Sequence, residues 1–177
     1  MAFTWLSSTT NTFMEFPLSI DRIFSRITES NTITPATPSE GAFPSLQAMN
    51  VLVVDDNHVN AMVATGYLRK LGIAPVVVDS GRKAVDLICR EEQQFDLVLM
   101  DCEMPEMDGL EATRYIRNWE RQRQRPHQPI CALSAHALES YRHKCIDAGM
   151  DEFLAKPIVM QQLFSTLHQF HNDSPPN

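Results

Sequence analysis

The chain is 177 residues long, 44% hydrophobic and 21% charged, with a formal net charge of −7. That length suits one domain with some chain to spare, and the apolar share is enough for a real core. The acidic balance argues against broad binding to a nucleic-acid backbone, which needs a basic footprint, but it leaves room for a cation site.

Residues 1–48 are rich in Ser, Thr, Asn and Pro with scattered Phe. The stretch from Ser30 to Pro44, with Pro35 and Pro38, has linker composition. Ile20, Ile23, Phe24 and Ile27 sit at helical spacing, so one short amphipathic helix fits there and the rest is expected to be irregular. Met1 to Leu6 lacks a basic start and a long apolar run, so no signal peptide is expected. No stretch approaches the ~20 apolar residues of a membrane helix. Cys89, Cys102, Cys131 and Cys145 show neither C-x-x-C nor zinc-ligand spacing and are read as free thiols in a reducing compartment. The expected location is cytoplasmic.

From Asn50 the pattern becomes regular. Val51 to Val54 is a short continuous apolar run, the signature of a strand buried on both faces. A helix should follow, with Val59, Met62, Val63, Gly66 and Tyr67 on its inner side and a stop at Leu71-Gly72. Val76 to Val78 is the second strand. Ser80 can cap a helix that turns Ala84, Leu87 and Ile88 inward. Leu97 to Met100 is the third strand, and Ala112, Tyr115, Ile116 and Trp119 give the third helix its stripe. Glu120 to Gln128 reads as a polar loop whose Arg121, Arg123 and Arg125 are solvated. Ile130 to Leu133 is the fourth strand. Leu138, Tyr141, Cys145 and Ala148 mark the fourth helix, stopped at Gly149. Phe153-Leu154 is the fifth strand, and Val159, Leu163, Phe164 and Leu167 mark the last helix. Strands alternating with helices predict an α/β fold with a doubly wound five-stranded parallel sheet, helices on both faces and order 2-1-3-4-5. The domain is expected over residues 49–171, with a tail over 172–177.

In such a sheet, ligands bind beyond the carboxyl ends of the strands. Asp55 and Asp56 follow strand 1, Asp101 follows strand 3, Ser134 follows strand 4 and Lys156 follows strand 5. Alone, each is an ordinary turn former, helix cap or surface charge. Together, three crowded carboxylates repel one another, and a hard divalent ion with oxygen ligands would relieve this. Magnesium uses one or two carboxylates and leaves another free to attack phosphorus. Adjacent Asp55 and Asp56 suit a metal pair, while Asp101 on the middle strand is the better nucleophile candidate.

The stretches Val51–Asn57 (VLVVDDN), Leu97–Leu110 (LVLMDCEMPEMDGL), Ala132–Ala135 (ALSA) and Phe153–Ile158 (FLAKPI) resemble the receiver domains of response regulators. With Asn60 and the ALSAHA segment they look most like receivers of hybrid sensor histidine kinases. The resemblance covers about residues 49–171. It implies that Asp101 is the phosphoacceptor, with self-catalysed phosphorylation and dephosphorylation. It also implies that Asp55, Asp56, Asp101 and the Glu103 backbone carbonyl hold Mg2+, and that Lys156 pairs with the phosphoryl group before a cis Lys156–Pro157 bond. Ser134 and Phe153 stand at the switch positions, and Phe153 replaces the Tyr of some members. Glu103 and His136 stand where the family tunes phosphoryl lifetime. The implied partner is a histidine kinase or histidine phosphotransfer domain, with no nucleic acid, the chain acting as monomer or weak dimer. The Thr12 to Leu18 stretch faintly resembles the closing strand of a kinase ATP domain, as in the tail of a larger hybrid kinase. With only Asn172 to Asn177 after this domain, no DNA-binding output is expected, and the expected output is toward protein partners.

Two other functions compete. A phosphorylation-independent pseudo-receiver scaffold should lack an acidic, hydroxyl or lysine member of the set, and none is missing. A magnesium phosphohydrolase usually shows D-x-D near strand 1, which Asp55-Asp56-Asn57 does not match. Cys102 beside Asp101 is read as a packing residue, and His58, His136, His143 and His168 as surface or cap residues without metal spacing.

Overall fold

The computed structural model describes residues 46–136 and 138–173. The expected helix near Ile20 to Ile27, the Thr12 to Leu18 stretch and most of the tail lie outside the described residues. Five parallel strands, β1 (Val51–Val54), β2 (Val76–Val78), β3 (Leu97–Asp101), β4 (Ile130–Ser134) and β5 (Glu152–Ala155), form one sheet in the order β2-β1-β3-β4-β5. The expected sheet order is the observed one.

Strand periodicity divides the core in two. Leu52, Val54, Val98, Met100, Ile130 and Ala132 point to one face, and Val51, Val53, Leu97, Leu99, Cys131 and Leu133 to the other. Successive side chains alternate across a strand, so continuous apolar runs feed both cores. Each large side chain so buried stabilises the fold by roughly 1.5–3 kcal/mol. A 3-10 turn over Leu46–Ala48 precedes β1 and buries Leu46 completely, so packed chain begins ahead of residue 49.

The helices are α1 (His58–Lys70), α2 (Gly81–Val85, continuing as a π-turn over Asp86–Arg90), α3 (Gly109–Arg123), α4 (Glu139–Ala148) and α5 (Met160–Asp173). The Asn57 side chain accepts from Val59 N and Asn60 N at the start of α1. That helix ends where Ile73 N reaches Leu68 O and Gly72 N reaches Arg69 O, with Gly72 at φ +84. This paired closure needs a left-handed residue, hence glycine.

Four helices differ from expectation. In α1 the buried residues are Ala61, Ala64 and Leu68, whereas Val59, Met62 and Val63 are 62%, 56% and 41% exposed. Small residues let the helix lie close to the sheet, and the larger apolar set is left facing out. Leu138 stands at the N-cap position of α4 without a capping side-chain bond and is exposed, as are Tyr115 on α3 and Val159 before α5. Glu120 to Arg123 is helical rather than loop. The buried Glu120 carboxylate accepts from Arg117 and from Gln128 N, and Arg121 and Arg123 complement the helix dipole in the last turn. Arg125 pairs with Glu92 and lies over the Trp119 ring, so it is not simply solvated. Among the described residues, no helix is long and apolar enough to cross a membrane.

Candidate functional site

Parallel strands end on one edge of the sheet, and their following residues meet there. Asp55, 3% exposed, leaves β1 with its N–H bonded to Val78 O. Its Oδ1 accepts from Asn57 N at 2.9 Å and from Asn60 Nδ2 at 3.5 Å. Asp101, 4% exposed, ends β3, and its Oδ1 accepts from Glu103 N at 3.2 Å. Lys156 follows β5, fixed by a 2.7 Å bond from its N–H to Ser134 O. Its Nζ donates to Asp55 Oδ2 at 2.8 Å and lies 2.7 Å from Asp101 Oδ2. The Lys156–Pro157 bond is cis. Asp56 is exposed at the rim, and Asp55, Asp56 and Asp101 each offer an oxygen within 4.8 Å of the others. Four of the residues singled out in the sequence therefore converge.

Ser134 ends β4, fully buried, with Oγ accepting from His136 N at 3.0 Å. Phe153 sits half-buried on β5, against the core face that contains Cys102 and Met104. The Glu103 side chain turns away from the carboxylates to His136, with 2.7 Å between Oε1 and Nδ1. The His136 ring stacks on Tyr141 at 5.2 Å between centroids. Neither the Glu103–His136 pair nor the support Asn57 and Asn60 give Asp55 was foreseen as contacts. The only hint was that Asn57 and Asn60 stand two and five places after Asp55.

Burial pushes the Asp101 carboxyl above its ordinary value of 3.8, against the opposing pull of Lys156 and Glu103 N. Burial by itself would lower the Lys156 ammonium, but Asp101 and Asp55 outweigh it and hold the group above its ordinary value. Because the folded value for Asp101 exceeds the unfolded one, its contribution to stability is present in acid and lost as pH rises through the folded value. An ionised Asp101 at neutral pH therefore costs stability. In the ion-free chain, a carbon-detected NMR titration of Asp101 should have its midpoint above 3.8. A midpoint at or below that value would contradict the assigned burial effect.

Three carboxylates against one ammonium leave two negative charges on this rim. The donors are all hard oxygens, and opposite ligands of a magnesium ion stand about 4.2 Å apart at ~2.1 Å per bond. A separation of up to 4.8 Å needs only a modest closing around such an ion. The residues present fit a small divalent cation that keeps some of its waters.

Comparison with known proteins agrees with this geometry. The family profile of the response regulator receiver domain matches residues 51–168. The chain is 43% identical over 119 residues to the sensor protein GacS of Pseudomonas syringae pv. syringae, covering 67% of this chain and 13% of that protein. It is 41% identical to the receiver domain of the histidine kinase CKI1 from Arabidopsis thaliana, solved with Mg2+ and BeF3−, with a TM-score of 0.63 over 72% of this chain and 92% of that one. It also resembles the co-crystal of the Saccharomyces cerevisiae histidine phosphotransfer protein Ypd1 with the receiver domain of Ssk1, at 27% identity and a TM-score of 0.66 over 70% and 89%. The chain thus spans about an eighth of GacS, at 13%.

Proposed function

The chain belongs to the response regulator receiver domain family, and from that premise we propose that Asp101 takes a phosphoryl group from a phosphohistidine of a histidine kinase or histidine phosphotransfer domain. The observation that carries this reading is the shared ammonium of Lys156, which holds Asp55 and Asp101 at one rim. An Asp101 oxygen attacks phosphorus, the oxygen–phosphorus bond forms, the phosphorus–nitrogen bond breaks, and the imidazole nitrogen keeps the electron pair. The reaction needs mainly positioning and charge neutralisation, and Lys156 supplies one cation for a phosphoryl oxygen. The Ser134 hydroxyl, now bonded to His136 N, turns to donate to another oxygen. Phe153 then moves inward along β5, and the surface around α4 and β5 changes with it. Asp55, Asp56, Asp101 and the Glu103 carbonyl would hold magnesium, whose positive charge would offset the negative charge of the phosphoryl oxygens. The Mg2+ and BeF3− bound by the CKI1 receiver support this assignment.

Partner and setting follow the same lines. The complex of Ypd1 with the Ssk1 receiver supports a phosphotransfer partner, and the net charge of −7 favours proteins over nucleic acid. The four free cysteines suit the cytoplasm, and the module acts as a monomer or weak dimer through transient contacts. The exposed apolar set Val59, Met62 and Val63 on α1 lies beside the Asp55 loop and suits a partner that must bring its histidine to Asp101. Met62→Asp should slow phosphotransfer from a phosphorylated partner roughly tenfold, the effect of losing about 1.4 kcal/mol of contact. Acetyl phosphate, which needs no docking, should label that variant like wild type.

The test of the reading is incubation with acetyl phosphate, or with beryllofluoride, plus magnesium. One phosphoryl group should appear, and peptide mapping should place it on Asp101. No modification under conditions that label a control receiver would overturn it.

A further inference from the structure

The carboxylate rim leaves one close pair of reactive groups without a role. Cys102 and Cys145, 43 positions apart in the chain, place their Sγ atoms 3.7 Å apart, and each residue is 1% exposed. Cys102 is held from both sides. Its N–H donates to Leu133 O at 2.9 Å, and its carbonyl accepts from Gly109 N at 3.3 Å. Cys145 lies on α4, which is weakly anchored. Of its ten residues only Cys145 and Ala148 are buried, and Leu138 makes no side-chain cap, whereas α3 buries six residues. A short helix with few buried contacts opens locally at low free energy.

We propose that Cys102 and Cys145 close into a reversible disulfide when the protein meets a hydroperoxide, clamping α4 to the strand that carries Asp101. The sulfurs must approach from 3.7 Å to about 2.05 Å, a movement slightly larger than the ~1.5 Å rise of one helical residue. Burial keeps the Cys145 thiol above its ordinary range, so it reacts only when α4 opens. Its sulfur then attacks a peroxide oxygen. A sulfur–oxygen bond forms, the oxygen–oxygen bond breaks, and water leaves. When α4 reseats, Cys102 sulfur displaces the hydroxyl of the sulfenic acid. The disulfide forms, the sulfur–oxygen bond breaks, and a second water carries away the thiol proton. Both sulfurs are oxidised, and hydrogen peroxide is reduced to two waters. Thiols of a reducing compartment reopen the bond. Cys131 cannot compete, because it faces the other core. Cys89 is half-buried on the π-turn of α2.

The test uses the full chain treated with hydrogen peroxide, quenched by alkylation and digested without reductant. The expected result is a Cys102–Cys145 cross-linked peptide, a chain lighter by two hydrogens, and recovery of both thiols with dithiothreitol. Cys89→Ser should keep the cross-link, and Cys145→Ser should lose it. Amide exchange over 139–148 should slow in the oxidised wild-type chain, a readout that needs no variant to fold. Sulfinic acids or Cys89-linked dimers without the cross-linked peptide would overturn the proposal. These readouts are independent of whether Asp101 accepts phosphate.

Discussion

Asp101→Asn is expected to abolish labelling by acetyl phosphate while leaving the chain folded. The carboxamide nitrogen is not nucleophilic, and its oxygen carries no full charge for attack on phosphorus. The shape is nearly conserved, so Glu103 N keeps an acceptor. The rim loses one of its two excess negative charges. Because burial raises the Asp101 carboxyl, the fold disfavours its ionised form at neutral pH, and the neutral amide removes that cost. Lys156 loses one partner but retains Asp55. The urea midpoint at neutral pH should therefore equal or exceed that of wild type. Full labelling of the variant would move the phosphoacceptor to Asp55 or Asp56. Loss of label with a collapsed midpoint would show only that the site had unfolded.

Gly109→Ala should be the most damaging small substitution near the site. A methyl built there would lie 2.1 Å from the Asp101 carbonyl oxygen and 2.9 Å from Met100 Cγ. Backbone cannot yield as a flexible side chain does, so α3 must lift away from the end of β3. Overpacking in a core costs about 1–3 kcal/mol, and this contact belongs at the upper end. Gly109 N bonds Cys102 O, and Gly109 O accepts from Thr113 Oγ1, so the shift disturbs both neighbours of the strand end. Urea denaturation should show the loss, and acetyl phosphate labelling should fall with it as Asp101 is displaced. Gly66→Ala is the control. Nothing lies within 4 Å of its added methyl, and alanine inside a helix is better than glycine by roughly 0.5–1 kcal/mol. An unchanged midpoint in Gly109→Ala would mean that α3 can slide without cost.

The strands were legible because their signal is local. Val51 to Val54 and Leu97 to Met100 are apolar at every position, and only a sheet covered on both faces buries such runs. The strand-end aspartates, Ser134 and Lys156 were legible once the order of strands was known, since position after a strand fixes the edge. The helix faces were less so. In α1 the apolar periodicity pointed to Val59, Met62 and Val63, but the smaller Ala61 and Ala64 face the sheet. Hydrophobicity ranks a large exposed residue above a small buried one, so periodicity alone chose the wrong side. The same limit made Glu120 look like loop, because the groups that bury its charge, the half-buried Arg117 guanidinium and the Gln128 backbone N–H, carry no apolar signal.

What the order of residues determined by itself was the alternation of strands and helices and the identity of the groups at the strand ends. Those depend on backbone periodicity and on turns, which are short-range. Only the tertiary structure decided that Lys156, 101 positions from Asp55, bridges it to Asp101. It likewise decided that Glu103 pairs with His136 and that Cys102 meets Cys145. Such contacts arise where distant segments are packed side by side, and a side chain's partner there is set by distance and direction in space, which no spacing along the chain encodes.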